Sequence, residues 1–284
     1  MRWRGRRGSS NIEDRRRAGG RGVAATGGVG VIVIVLVGYF LGFDLTPLLD
    51  EGGFTAPRSG GSTAELTEAD REAGEFVSVT LADTEEIWAG IFRNQLGETY
   101  DAPVLVLYKD VTQSPCGGAS GATGPFYCPG DEKIYLDTAF FTTLARKLGA
   151  HGDFAAAYVV AHEVAHHVQN ELGILPEANR IRQQVSRAES NAISVRIELQ
   201  ADCYSGIWAR FAEEQFGTLE EGDVAEAMNA AKQIGDDTLQ RNAGRVPQPH
   251  TFSHGTSEQR QRWFATGYRA GSLTACDTFG AGSI

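Results

Sequence analysis

GDFAAAYVVAHEVAHHVQN, residues 152–170, decides how the rest of the chain is read. Residues 154–169 contain neither Gly nor Pro, and Asp153 is a good N-cap type, so a helix is predicted here. A helix turns about 100° per residue, so His162 and His166 stand one turn apart on a single face and can hold one metal ion. Glu163, about 100° round from His162, can reach a water on that metal without being a ligand. A chance grouping is the plainer reading of His-Glu-x-x-His. On an apolar helix such as AAAYVVA, however, chance would bury Glu163 with nothing charged opposite it.

Two histidines leave a catalytic zinc one protein ligand short, and the third is usually His or a carboxylate. After His167 the next histidine is His250, so a glutamate on a second helix is the better source. The segment ELQAD, residues 198–202, offers Glu198 as ligand, with Asp202 one turn on to accept the ring N–H of His162 or His166. A solvated helix charge is the ordinary role of such a glutamate. Ile197, Leu199, Ala201 and Cys203 argue for a mostly buried helix instead, with Glu189 and Glu213 as substitutes for the ligand. Zinc would bring its water towards neutral pKa, and Glu163 would take the proton as the water attacks a carbonyl, then pass it to the departing amine. The tetrahedral oxyanion needs a further donor, and HTFSHGTSEQR supplies His254 as first candidate and His250 as second. His254 could also simply order the HGTS turn; His167 could be a packed helix residue and His151 a loop residue.

The 284 residues, 42% hydrophobic and 22% charged, suffice for one large domain or two small ones. Charge is divided unevenly. Residues 1–22 carry eight Arg against Glu13 and Asp14, a net of +6, which leaves −16 on the remainder of a chain of net −10. Residues 23–43 are 21 positions without a charge and include VGVIVIVLVGYFLGF, long enough to cross a hydrocarbon core of about 30 Å. Arginines before this run and Asp44, Asp50 and Glu51 after it predict one transmembrane helix with the N-terminus cytoplasmic and the C-terminal bulk outside. No small-x-small cleavage site follows, so a retained anchor is preferred to a signal peptide; AGG after Arg15–Arg17 argues against twin-arginine export. A basic arm for nucleic acid would explain the arginines but not the span, and the −16 remainder repels phosphates. Cys116, Cys128, Cys203 and Cys276 all follow the span, an even number suited to an oxidising compartment. They allow three pairings, among them Cys116 with Cys128 and Cys203 with Cys276, and no Cys-x-x-Cys suggests a zinc site.

This yields a basic cytoplasmic tail (1–22), a transmembrane helix (23–43), a Gly/Pro/Ser/Thr-rich tether (44–65) and a zinc metallopeptidase domain (66–284). Within the domain, helical spacing predicts packing helices over 67–80 and 83–96, the second capped by Asp83 or Thr84. PVLVLYK (103–109) and KIYLD (133–137) read as strands of a small sheet; the Gly- and Pro-rich CGGASGATGPFYCPGD between them reads as irregular. Helix resumes to Leu148, and the stretch from about Ala178 to Phe216 predicts two helices or one bent at Gly206.

In RWRGRRGSSNIEDRRR, CGGASGATGPFYCPGDEKIYLD, the opening stretch, ELQADCYSGIWA, GDVAEAMNAAKQIGDD and FSHGTSEQRQRWFATGY, the chain resembles the bacterial neutral zinc metallopeptidase family over nearly its whole length. Members are single-pass membrane proteins whose site looks like that of the Glu-liganded zincins. The family more often carries Gly at the position of Ala165, a small difference. The resemblance implies an α+β, mainly helical, zincin-like domain with a small β-sheet after one transmembrane helix. It also implies Zn2+ at His162 and His166, Glu163 as catalytic base and Glu198 as third ligand. The reading is a zinc endopeptidase acting on protein or peptide outside the cytoplasm, with no nucleic-acid partner. A zinc-stabilised ectodomain for binding or scaffolding, or a zinc amidase of the cell wall, are the alternatives.

Overall fold

A computed structural model describes residues 1–17, 65–120, 124–282 and 284. The predicted span at 23–43 and nearly all of the tether lie outside the described residues. Among the described residues no helix is long and apolar enough to cross a membrane.

The strands are β1 (Ile12–Asp14), β2 (Val104–Tyr108), β3 (Val111–Ser114), β4 (Gly117–Ser120), β5 (Phe126–Cys128) and β6 (Lys133–Asp137). The helices are α1 (Glu68–Ile91), α2 (Ala139–Arg146), α3 (Asp153–Glu171), α4 (Ile174–Arg182), α5 (Arg187–Phe211), α6 (Asp223–Gln233), α7 (Asp236–Asn242) and α8 (Ser257–Ala270). The fold is therefore α+β and mainly helical with a small mixed sheet, ordered β1-β2-β6-β5 with only β5 antiparallel to its neighbour. Both faces of β2 and β6 are covered, which explains the unbroken apolar run in β2. Leu105, Leu107, Ile134 and Leu136 enter the main core, while Val106, Tyr108 and Tyr135 join Ala119 and Cys128 in a second, smaller one.

α3 lies at the centre, packed against α1, β5, β6, α5 and α6. Its burial extends round nearly the whole circumference, as its apolar composition requires. Asp153 is not its cap. Gly152 holds that place, and the carboxylate of Glu226 from α6 accepts from the Phe154 N–H at 3.1 Å. A side chain at Gly152 would collide with that carboxylate, and the glycine has φ of 101°.

Several other expectations change. The two packing helices are one, because nothing in Leu81-Ala82-Asp83 interrupts the ladder; Thr67 and Asp70 form the capping box, and Asp83 is buried in an ion pair with Arg6. The segment read as irregular contains β4, which pairs with the preceding β3 across a turn at 115–116, and β5. The stretch from about Ala178 forms two helices as one of its two readings had it, α4 and α5 dividing at 183–186, and Gly206 does not bend α5. It lies where α5 and α8 touch backbone to backbone: a Cβ on Gly206 would sit 2.0 Å from the Phe264 carbonyl oxygen, and one on Gly267 1.8 Å from that of Cys203. Gly267→Ala should therefore cost about 3 kcal/mol or more, at the upper end of overpacking penalties. Gly90→Ala, where the added methyl meets nothing within 4 Å, should be neutral or stabilising by up to about 1 kcal/mol. Urea unfolding of the two variants measures the contrast, and equal midpoints would refute the close-crossing account.

The disulfides are Cys116–Cys128 and Cys203–Cys276, leaving no free thiol. The second joins the C-terminal segment to α5 beside Asp202.

The largest departure concerns residues 1–17, expected to stand apart from the domain as a basic tail. β1 pairs in parallel with β2, Ile12 opposite Leu105 and Asp14 opposite Leu107, and Trp3 is buried against Phe76 with ring centroids 5.4 Å apart. The physical reason is complementarity with the domain: Arg4 and Arg6 meet its carboxylates, and Met1 and Trp3 enter its core.

Candidate metal centre

The site forms where α3 and α5 face each other. His162 Nε2 lies 3.1 Å and His166 Nε2 3.6 Å from the two oxygens of Glu198. One donor atom from each of these residues lies within 4.8 Å of the others. Tetrahedral zinc with Zn–N of about 2.0–2.1 Å needs donors about 3.3 Å apart, so the spacing suits the ion. The far side of each imidazole is tied. His162 Nδ1 is 3.0 Å from Asp202 Oδ1, and His166 Nδ1 is 2.9 Å from Gln169 Oε1. Gln169 is fixed in turn by donating to the Ile197 carbonyl and Gln200 Oε1. With both Nδ1 atoms committed to acceptors, both Nε2 lone pairs are free to ligate. The donor set, its spacing and its hydrogen bonds therefore fit zinc.

Glu163 is buried beside the cluster. Burial raises its pKa against the pull of His166 and His162, and among the described residues no cation lies within ion-pair distance of its carboxylate. Glu198 behaves oppositely: burial raises it, but His254, His166 and His162 together hold it well below the ordinary carboxylate range.

Asp202 has a partner that sequence reasoning passed over. Arg260 on α8 grips it bidentately, Nε to Oδ2 at 2.8 Å and Nη2 to Oδ1 at 2.9 Å, and the Tyr158 hydroxyl donates to Oδ1 at 2.5 Å. Arg260, Asp202 and Tyr158 are all buried. Burial alone would raise Asp202, yet Arg260 and His162 lower its pKa, so it stays an anion behind His162. The signal for Arg260 was its place in an otherwise amphipathic helix beside Trp263 and Phe264, where an arginine needs a buried counterion.

His254 stands across from Glu198. Gly255 packs on Val195 and Leu199, which flank Glu198 on α5. The turn is held by Asp236 on α7, whose Oδ2 accepts from the backbone N–H groups of Ser253, His254 and Gly255 at 2.8, 2.7 and 3.0 Å. Asp236 Oδ1 lies 3.4 Å from His254 Nδ1. The His254 side chain remains 48% exposed, open to a ligand. The protein packed round the ring's inner side opposes its charge, but Glu198 and Asp236 outweigh this and raise its pKa.

The other candidates are placed elsewhere. Glu189 closes the capping box of α5 with Ser186, and Glu213 is exposed and bonded to Tyr268. His167 is a packed helix residue, 2.7 Å from the Asp101 carbonyl; His250 and His151 are exposed. A second acidic group, Asp153, Asp223 and Glu226, faces the Met1 ammonium, which lies 2.6 Å from Asp153 and 3.3 Å from Asp223.

A family described as "Putative neutral zinc metallopeptidase" matches residues 1–279. "Uncharacterized protein YpfJ" of Escherichia coli K12 is 45% identical over 290 residues, 99% of each chain. "Uncharacterized protein Rv2575" of Mycobacterium tuberculosis H37Rv is 39% identical over 223 residues, 75% of this chain and 74% of its own. No solved structure matches. A family match over nearly the full length, joined to a whole-length relative at this identity, makes the chain a member of that zinc metallopeptidase family.

Proposed function

We propose that this protein is a zinc-dependent peptidase of the Glu-liganded zincin type, hydrolysing peptide bonds, anchored to the membrane through the apolar run at 23–43. One observation carries the reading: two Nε2 atoms and the Glu198 carboxylate converge, each imidazole being held from behind, while a buried glutamate without a cation partner stands next to them. Zinc held by His162, His166 and Glu198 would acidify a water and polarise the scissile carbonyl. Glu163 then takes the proton at its carboxylate and returns it to the leaving amine, a task its raised pKa suits. His254 donates a hydrogen bond to the substrate oxygen as it gains charge, while Asp236 holds the turn that presents it. A hollow of about 260 Å³ between α5 and residues 249–256, lined by Ala192, Val195, Pro249 and Phe252, offers room for an apolar substrate side chain. Two disulfides support a domain working outside the cytoplasm.

The test is made on the full-length protein in detergent. It should bind one zinc and cleave an unfolded protein in a manner abolished by chelation. Glu198→Ala should weaken zinc by more than the roughly 10–100-fold typical of losing a group behind a ligand. Unchanged zinc affinity in that variant would remove Glu198 from the centre.

A further inference from the structure

The two edges of the residues 18–64 segment lie at one corner of the domain. Arg16 at the outgoing edge donates to the Asp70 carbonyl, and its guanidinium packs on Gly74, where a Cβ would fall 2.5 Å from Nη2. Leu66 at the returning edge is buried, and Thr67 caps the helix that Asp70 and Gly74 belong to. Arg16 and Leu66 therefore both lie beside the first turns of α1.

Residues 1–17 are bound there by more than one kind of contact. Leu105 N–H donates to the Asn11 carbonyl at 2.8 Å and Arg15 N–H to that of Leu107 at 2.7 Å. Ser9 N–H reaches the Ser78 carbonyl at 2.9 Å, and Arg2 N–H that of Thr218 at 2.7 Å. Arg4 pairs with Glu72 and Arg6 with the buried Asp83, while Lys133 bonds Glu13 at 2.8 Å. Neighbouring strands lie about 4.8 Å apart, whereas a hydrocarbon core is about 30 Å thick. A strand cannot pair through a bilayer.

We infer that residues 1–17 and the domain of residues 65–284 occupy the same side of the membrane. The positive charge predicted to hold the N-terminus in the cytoplasm has another use. Arg4 and Arg6 neutralise carboxylates of α1, and Arg15 and Arg16 those of β1 itself. The inference is independent of the peptidase reading, because it rests on the contacts of residues 1–17 with the domain.

The experiment uses full-length protein in the membrane of a bacterial host. The native cysteines are all in disulfides, so a single new cysteine can be labelled with a membrane-impermeant maleimide. Arg7→Cys reports on the N-terminal segment, its native side chain being 66% exposed, and Glu177→Cys, 55% exposed, on the domain. Both should label together, either in intact spheroplasts or only after lysis. Labelling of one before lysis and the other only after it would overturn the inference. The docking itself is read with Arg4→Cys/Glu72→Cys and a short bis-maleimide, which should join residues 4 and 72 within one chain. Failure to cross-link where both single cysteines label would equally overturn it. Which of the two shared sides is found bears separately on the proposed placement outside the cytoplasm.

Discussion

Glu163→Gln should leave the fold and the zinc content of the full-length protein unchanged and lower peptide cleavage by about 10²–10⁴-fold, the range for losing a general acid–base group. Glutamine keeps the shape of the side chain, so the packing of α3 is preserved. What is lost is the proton acceptor and its negative charge. The structure makes the experiment discriminating, because Glu163 is buried without a cation within ion-pair distance among the described residues. A buried carboxylate in that condition is a cost to folding, so neutralising it should hold or raise stability. A structural glutamate would behave in the opposite way, its amide variant losing stability and keeping whatever activity remained. Zinc content, melting temperature and single-turnover cleavage measured together separate the two. Cleavage at the wild-type rate with full zinc would defeat the mechanism and favour a zinc-stabilised binding ectodomain.

The parts of this site that local pattern carries were readable in the chain. His162, Glu163 and His166 declare themselves through four-residue spacing on a helix free of Gly and Pro. Glu198 and Asp202 do so because a carboxylate pair one turn apart sits among Ile197, Leu199, Ala201 and Cys203. The structure brings the histidines and Glu198 together and turns Asp202 onto His162. Long-range pairings were not readable. Arg6 meets Asp83 across 77 residues, and without that partner a run of arginines before an apolar stretch has the composition of a membrane flank. β1 is three residues long, too short to show a strand period. Arg260 reaches Asp202 across 58 residues, and Gly206 looks like a hinge until the opposing Phe264 carbonyl is seen 2.0 Å from where its Cβ would stand. In each case the residue type was a fair local signal, and the partner that gives it meaning was set by tertiary packing.

Arg260→Met should destabilise the zinc-free protein by about 3–5 kcal/mol, the cost of removing one member of a buried ion pair. The carboxylate of Asp202 is wholly inaccessible to solvent, and Arg260 supplies two of the hydrogen bonds that keep it charged. Methionine fills much of the vacated volume, so the loss is electrostatic and not that of a cavity. Its pH dependence has a definite sign. Because the folded-state pKa of Asp202 is depressed, its stabilising contribution is complete above the unfolded value of about 3.9 and is lost as pH falls through the lower folded value. Wild type and Arg260→Met should therefore differ most near neutrality and converge in acid. Zinc affinity should fall by about 10–100-fold as well, since an Asp202 that recovers a proton no longer accepts from His162 Nδ1 in the same way. Asp202→Asn/Arg260→Met is the informative companion. Removing both charges should restore most of the stability, while zinc binding stays weakened because His162 is then backed by an amide in place of a carboxylate. Urea unfolding with and without zinc, from neutral to acid pH, measures all three proteins. A single variant as stable as wild type, or a double variant no more stable than the single one, would show that the Arg260–Asp202 pair does not support the metal centre from behind.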